Sequence, residues 1–260
     1  METSQNSASV VPAPNAAPGR GVLGRWILLL TAILQFVSPA LLPFNGSADD
    51  PPITPPGFFF SIWGLITTGC LAAALWGFPA RRATAAPYRH VQLPLSITQV
   101  LFVCWLAAAT SAGQRYRLLT LPIFIGMLAG VSVSLAAVQA TPGDAGDAAT
   151  GWLLSAVLGT YAGWSTPAIW LNLASLLSPE LLSGDYGTAL QASLVGAAVV
   201  SVAAGSHLSG GNAGFALAAT WALTGVLVSA IKVKLTPVVV TAAAGLVILG
   251  GQVIVTRLGW

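Results

Sequence analysis

The sequence predicts an all-α, polytopic membrane helix bundle, and three observations carry that prediction. Of 260 residues, 55% are hydrophobic and only 7% are charged, with a mean hydropathy of +0.81. A soluble domain carries about a quarter charged residues, so this chain cannot cover itself with polar surface. Apolar runs recur down the chain, each of about 20 residues, enough to cross a hydrocarbon core of ~30 Å as a helix. Helices are the required form, because lipid offers no partner to an open backbone. Finally, all seven acidic residues fall outside these runs: Glu2, Asp49, Asp50, Asp144, Asp147, Glu180 and Asp185. The basic residues lie at run ends or between runs, apart from Arg25 just inside the first.

The expected spans are 22–42, 57–77, 92–110, 118–139, 152–177, 188–204, 214–231 and 236–256. Residues 1–19, rich in Ser, Ala, Pro and Asn without apolar periodicity, read as a disordered tail. The first span is too long for the apolar region of a cleavable signal. The second opens on "TPPGFFFSIWG", residues 54–64. Thr54 can cap a helix whose first positions are Pro55 and Pro56, since proline lacks an N–H that would have no intrahelical partner there. The preceding "NGSADDPPITPP" is polar and proline-stiffened, and reads as an ordered lid.

The fifth span contains "GTYAGWSTPAIWLNLASLL", residues 159–177. At about 100° per residue, Tyr161, Trp164, Ala168 and Asn172 share one stripe. Gly159, Gly163 and Trp170 fall opposite, with the glycines spaced as a seam for close helix packing. Asn172, polar and inside a span, must face protein, a cavity or a ligand. It serves either as an interhelical hydrogen bond or as a ligand anchor. The last three spans are apolar, and the sixth is the shortest. "SHLSGGNAG", residues 206–214, lacks the lysine and spacing of a phosphate loop and reads as a flexible connection.

Several functions are excluded by what the spans lack. The net charge of +3 is scattered at segment ends and does not mark nucleic-acid binding. No carboxylate or amine sits at mid-membrane depth, where proton relays and ion pathways place them. Cys70 and Cys104 form no metal spacing and read as inert buried thiols. His90 and His207 read as loop residues, which leaves no histidine to ligate a haem iron from within the bundle. No hydrolase constellation is present, so no catalytic or metal-binding residue is assigned and the chain reads as a non-enzyme. Trp26, Trp152, Trp260 and Trp76 lie near span ends, as an interfacial belt would, while Trp221 reads as packing. Arg82, Tyr88 and Val91 satisfy a loose sterol-contact pattern. With the amino terminus inside, Arg20, Arg25, Arg81, Arg82, Arg89 and Arg257 lie within, against Arg115, Arg117, Lys232 and Lys234 outside. That balance favours an inside amino terminus.

Two stretches resemble a family. "PPGFFFSIWGLI" resembles the start of the second helix of the TspO/MBR proteins, the tryptophan-rich sensory proteins related to the mitochondrial translocator protein. Trp63 stands where the family has a tryptophan after its Pro-Pro-Gly turn. Tyr161, Trp164, Ala168 and Asn172 reproduce the family's fifth-helix spacing. Thr160 replaces a common proline, Thr67 replaces a tyrosine, and Gln99 and Trp105 are the counterparts of a third-helix asparagine. The resemblance covers about residues 22–178. It implies a five-helix membrane domain over 20–178, with additional transmembrane helices over 179–260 and residues 43–56 folding over a cavity.

That resemblance implies binding of a planar hydrophobic ligand, a tetrapyrrole such as porphyrin or haem, or a sterol-like lipid, with no cofactor required. The expected binding residues are Phe60, Trp63, Thr67, Gln99, Trp105, Tyr161, Trp164 and Asn172: flat rings to stack and a few polar anchors. The resemblance also implies sensing or transfer in a bacterial cytoplasmic membrane, a homodimer and no nucleic acid. The competing readings are a secondary transporter, which would need internal repeats and midplane polar groups at broken helices, and a porphyrin-modifying membrane protein.

Overall fold

The computed structural model describes residues 19–43, 50–111, 114–141 and 148–258. Residues 1–18 of the expected tail, residues 44–49 of the expected lid and Trp260 of the expected belt lie outside these.

Among the described residues the chain is helical. The elements are α1 (Gly19–Leu41), a 3₁₀ turn (Gly57–Ser61), α2 (Ile62–Gly77), α3 (Ala80–Ala83), α4 (Ala86–Thr110), α5 (Gln114–Gln139), α6 (Ala148–Ala174), α7 (Gly184–Leu208), α8 (Ala213–Lys232) and α9 (Thr236–Leu258). The eight long helices match the eight expected spans. Seven segments are long and apolar enough to cross a membrane: Val22–Leu41, Gly57–Gly77, Ala86–Thr110, Tyr116–Gln139, Gly184–Leu208, Ala213–Lys232 and Thr236–Thr256. The remaining helix, α6, has the length and no charge but falls short in hydropathy. The reason is its position. It packs against α2, α5, α7 and α8, and every residue from 161 to 168 is buried. A helix wrapped in protein has no need of a lipid-facing stripe.

The bundle has two ends. Arg25 Nη1 donates to Phe78 O at 3.2 Å, and Trp76 Nε1 donates to Thr150 Oγ1 at 2.9 Å, which bring α1, α2 and α6 together at an arginine-rich end. Trp26, Trp76 and Trp152 are exposed there, as an interfacial belt requires. At the opposite, proline end, Ser229 Oγ donates to Thr54 O at 2.6 Å.

One apolar core passes through the whole bundle, with buried members from α1 (Leu28), α2 (Ile66), α4 (Leu95), α5 (Met127), α6 (Leu158), α7 (Val202), α8 (Leu223) and α9 (Leu249). The glycine seam of α6 is filled by α8. A Cβ on Gly163 would lie 2.7 Å from Phe215 Cα, and one on Gly159 would strike the Asn212 side chain. Asn212 caps α8 by accepting from Phe215 N at 3.0 Å, and its amide donates to Ser155 Oγ at 2.8 Å. Gly210 and Gly211 adopt φ of 60° and 69°, a conformation cheap only for glycine. The 206–214 stretch is therefore the end of α7, a tight turn over 209–212 that seats Asn212 in the α6 notch, and the start of α8, and not the flexible connection the sequence suggested.

Other expectations are corrected here. Thr54 does not cap α2: Pro56 precedes the 3₁₀ turn, and no side chain makes a capping bond there. Residues before proline are driven out of the helical region; Pro56 is still extended, at φ −54° and ψ 145°, and the helix starts later. His90, the fifth residue of α4, and His207, in the last turn of α7, are helical and exposed, and not in loops. Cys104 is exposed and only Cys70 is buried. Tyr88 and Val91 are fully buried, with Tyr88 Oη donating to Ala73 O at 2.7 Å, so the loose sterol-contact pattern is core packing.

Candidate functional site

The second-helix motif and the α6 stripe meet inside the bundle. Trp63, on the first turn of α2, is the hub. Its ring lies 6.1 Å from that of Trp164 and 5.8 Å from that of Tyr161, both edge-on. Trp105 and Phe102 of α4 lie at 5.7 and 4.8 Å, and Phe124 of α5 at 6.3 Å. Phe60 reaches Trp164 at 5.8 Å. These separations fall in the favourable range for aromatic pairs. Of the expected residues, Phe60, Trp63, Trp105, Tyr161 and Trp164 thus form one cluster. Phe102 and Phe124 were not foreseen.

The polar expectations divide. Asn172 is engaged on both sides: Trp105 Nε1 donates to its Oδ1 at 3.0 Å, and its Nδ2 donates to Ala168 O at 2.9 Å. Of its two readings, the interhelical hydrogen bond is the one formed. Thr67 is buried, its hydroxyl turned to Gly64 O of its own helix at 3.4 Å. Gln99 is fully buried and accepts from Thr31 Oγ1 at 2.6 Å. The Cys70 thiol neighbours Gln99. Gln35, also fully buried, donates through Nε2 to Tyr161 Oη at 3.2 Å. Thr31, Gln35 and Cys70 therefore extend the site to α1 and deeper along α2. The signal for Gln35 was present, since a glutamine inside an apolar span demands a partner.

The tryptophans are not equally satisfied. Trp76, Trp105, Trp170 and Trp221 each donate their indole N–H, to Thr150, Asn172, Ser201 and Phe59 O, at 2.9 to 3.0 Å. Trp63 and Trp164 are buried with no partner for Nε1. Gln35 Oε1, Gln99 Nε2 and Ser165 Oγ are orphaned in the same way. Leaving such a group unmade costs about 1–3 kcal/mol, so this concentration marks the part of the core least explained by stability.

The proline segment is held from the other side of α6. Ile53 is fully buried and joins an apolar cluster with Leu194, Val226, Ala230 and Val238. Gly225 of α8 receives Pro55, where an added Cβ would sit 2.8 Å from the proline Cβ. Trp221 donates to Phe59 O and packs on Phe59 at 4.7 Å and on Phe58 at 5.1 Å. The sequence suggested a roof over the five-helix cavity. The described residues 50–56 lean instead on α8, because their apolar side chains and the Thr54 carbonyl find cover and a donor there. Trp221 is thus an anchor and more than packing.

Electrostatically the ring cluster is neutral. No Lys, Arg, Asp or Glu occurs within 26–43, 57–80, 90–111, 118–141 or 148–174. Among the described residues no group of three or more His, Cys, Asp or Glu is placed to hold a metal ion.

Comparison with known proteins agrees with the residue-level resemblance. No curated protein and no solved structure matches the chain. A family model described as TSPO-like protein matches residues 27–255. The match runs past residue 178, where the two motifs end, through α7, α8 and α9. Given the paired motifs, their meeting at Trp63 and a match over most of its length, the chain belongs to the TspO/MBR family.

Proposed function

We propose that this membrane protein is a receptor or carrier for a planar hydrophobic ligand, a tetrapyrrole or a sterol-like lipid, working in sensing or transfer. The observation that supports it is the pair of facing indoles, Trp63 and Trp164, with both N–H groups buried and unpartnered. In this reading Phe60, Trp63, Trp105 and Trp164 stack on the flat body of the ligand. Tyr161, Gln99 and Gln35 read its polar edge. Asn172 holds the Trp105 ring in place. A bound haem would be gripped by its macrocycle and not by an axial histidine, since both histidines are exposed at helix ends. The role assigned is binding and release, with no bond-making step. We place the protein in a bacterial cytoplasmic membrane with the arginine-rich end inside, where lysine and arginine excess sets orientation.

The test is a titration of the purified full chain with protoporphyrin, followed by tryptophan fluorescence and by the ligand's own absorbance. Saturable quenching is expected. Replacing both Trp63 and Trp164 with alanine should abolish the ligand's absorbance shift. Unchanged binding by that double variant would remove these rings from the site.

A further inference from the structure

We infer that the ligand of this site is electrically neutral and presents a hydrogen-bond acceptor, a carbonyl, ester or hydroxyl oxygen, to the core; free carboxylates are selected against. The inference rests on the binding reading above and narrows it.

The chemistry of the orphaned atoms leads there. Trp63 and Trp164 are each more than nine-tenths buried, and the indole N–H can only donate. Neither ring can be relieved by exchanging atoms, because the nitrogen position is fixed. Gln99 is fully buried and also has one unmet amide end. Gln35 and Gln99 differ from the indoles, because the amide oxygen and nitrogen of each can be exchanged, so neither fixes a donor. With Gln35 Nε2 on Tyr161 Oη its oxygen is orphaned, and in the exchanged orientation the nitrogen is. Either way one end stays unmet. The members whose chemistry is fixed, the two indoles, are both donors, and an acceptor on the ligand would complete them.

The donors are also all neutral. A carboxylate brought among them would lose its hydration without meeting a counter-charge, and such burial is far costlier than burial of a carbonyl. The arginines nearest the cluster's two flanks lie at the ends of the bundle and not among the rings. Arg25 donates to Phe78 O at the arginine-rich end, and Arg117 Nη2 donates to Ser175 O at 2.8 Å at the proline end. A carbonyl or ester oxygen has two lone pairs, carries no charge, and matches indole and amide donors without needing either arginine.

Protoporphyrin IX and its dimethyl ester test this directly, because they share the ring system and differ in the two acids. The full chain in lipid nanodiscs is titrated with each, following the shift of the porphyrin absorbance, with empty nanodiscs subtracted. The wild-type comparison needs no variant and so cannot fail through misfolding. The ester should bind at least about tenfold more tightly than the diacid. In Trp63→Phe and Trp164→Phe, which keep a ring and remove the donor, ester affinity should fall roughly tenfold each, about one neutral hydrogen bond. Diacid binding as tight as or tighter than ester binding would overturn the inference, and its loss in Arg117→Gln would show the acids being read at the rim. Ester affinity unchanged in both phenylalanine variants would overturn it as well. If neither porphyrin binds the wild-type chain, the binding reading itself fails, a result distinct from a wrong order of affinities.

Discussion

Two tryptophan-centred regions flank α6, and they are built on opposite terms. Around Trp221 on α8 the polar groups are matched: the indole serves Phe59 O, Ser229 serves Thr54 O, and Gly225 makes room for Pro55. Around Trp63 the rings also pack against one another, yet Trp63, Trp164, Gln35 and Gln99 keep buried polar atoms without partners. The first region is what a folded chain needs from its core. The second resembles a place where stability has been given up for something that arrives later. Buried area alone would not separate them; hydrogen-bond satisfaction does.

The most disruptive way to break the comparison is to part the helices that separate the regions. Gly163→Leu drives a side chain into the backbone of α8 at Phe215, which cannot step aside. It should cost more than about 4 kcal/mol, beyond the usual effect of one substitution. The expected result is loss of a monodisperse peak in size-exclusion chromatography, and a well-folded Gly163→Leu protein would contradict the described α6–α8 contact. Trp221→Ala comes next: its ring is part-buried, so the cost should fall somewhat below the roughly 3–5 kcal/mol of a fully buried one, read as a lowered midpoint in denaturant. The same variant should become prone to proteolytic cleavage within residues 50–56.

A matched pair of smaller changes sharpens the contrast. Trp221→Phe and Trp63→Phe remove similar volume, but only the first strands a partner, the Phe59 carbonyl. Trp221→Phe should therefore be the more destabilising by about 1–3 kcal/mol in parallel unfolding curves. Equal losses would mean that the Trp63 donor is satisfied in the folded protein. The smallest difference is expected between Trp105→Phe and Trp63→Phe, since the first also breaks the link to Asn172. Interhelical bonds of this kind are worth about 0.6 kcal/mol in membranes, so beyond the volume loss the two share, the Trp105→Phe midpoint should fall only slightly further.

How much of this could be read from the residues follows from what each feature depends on. Helix positions depend on local composition, and the runs at 57–77 and 236–256 agree closely with Gly57–Gly77 and Thr236–Leu258. The division of α6 into a ring face and a glycine face depends on helical periodicity, and the rings meet α2 while Gly163 meets α8. Thr54 misled because the two prolines after it look like a first helical turn, whereas proline acts backwards on its predecessor. Phe102 and Phe124 carry no spacing that separates a site-facing phenylalanine from a lipid-facing one. The dock of the proline segment on Trp221 joins residues 162 apart in sequence, a pairing that no local rule encodes. Gln35 stood alone in its span and could have been enlisted, but its partner Tyr161 is fixed only by the packing of α1 near α6.

The modest hydropathy of α6 also bears on how the chain enters the bilayer. A segment carrying Tyr161, Ser165, Thr166, Pro167 and Asn172 gains less from lipid than its neighbours do. Its insertion should depend on helices made before it, with α8 emerging from the ribosome some forty residues afterwards to cover its glycine face. Biogenesis and the ring cluster then draw on the same helix: Tyr161 and Asn172, which help make α6 a poor solitary guest of the membrane, are also the residues that tie the cluster to α1 and α4.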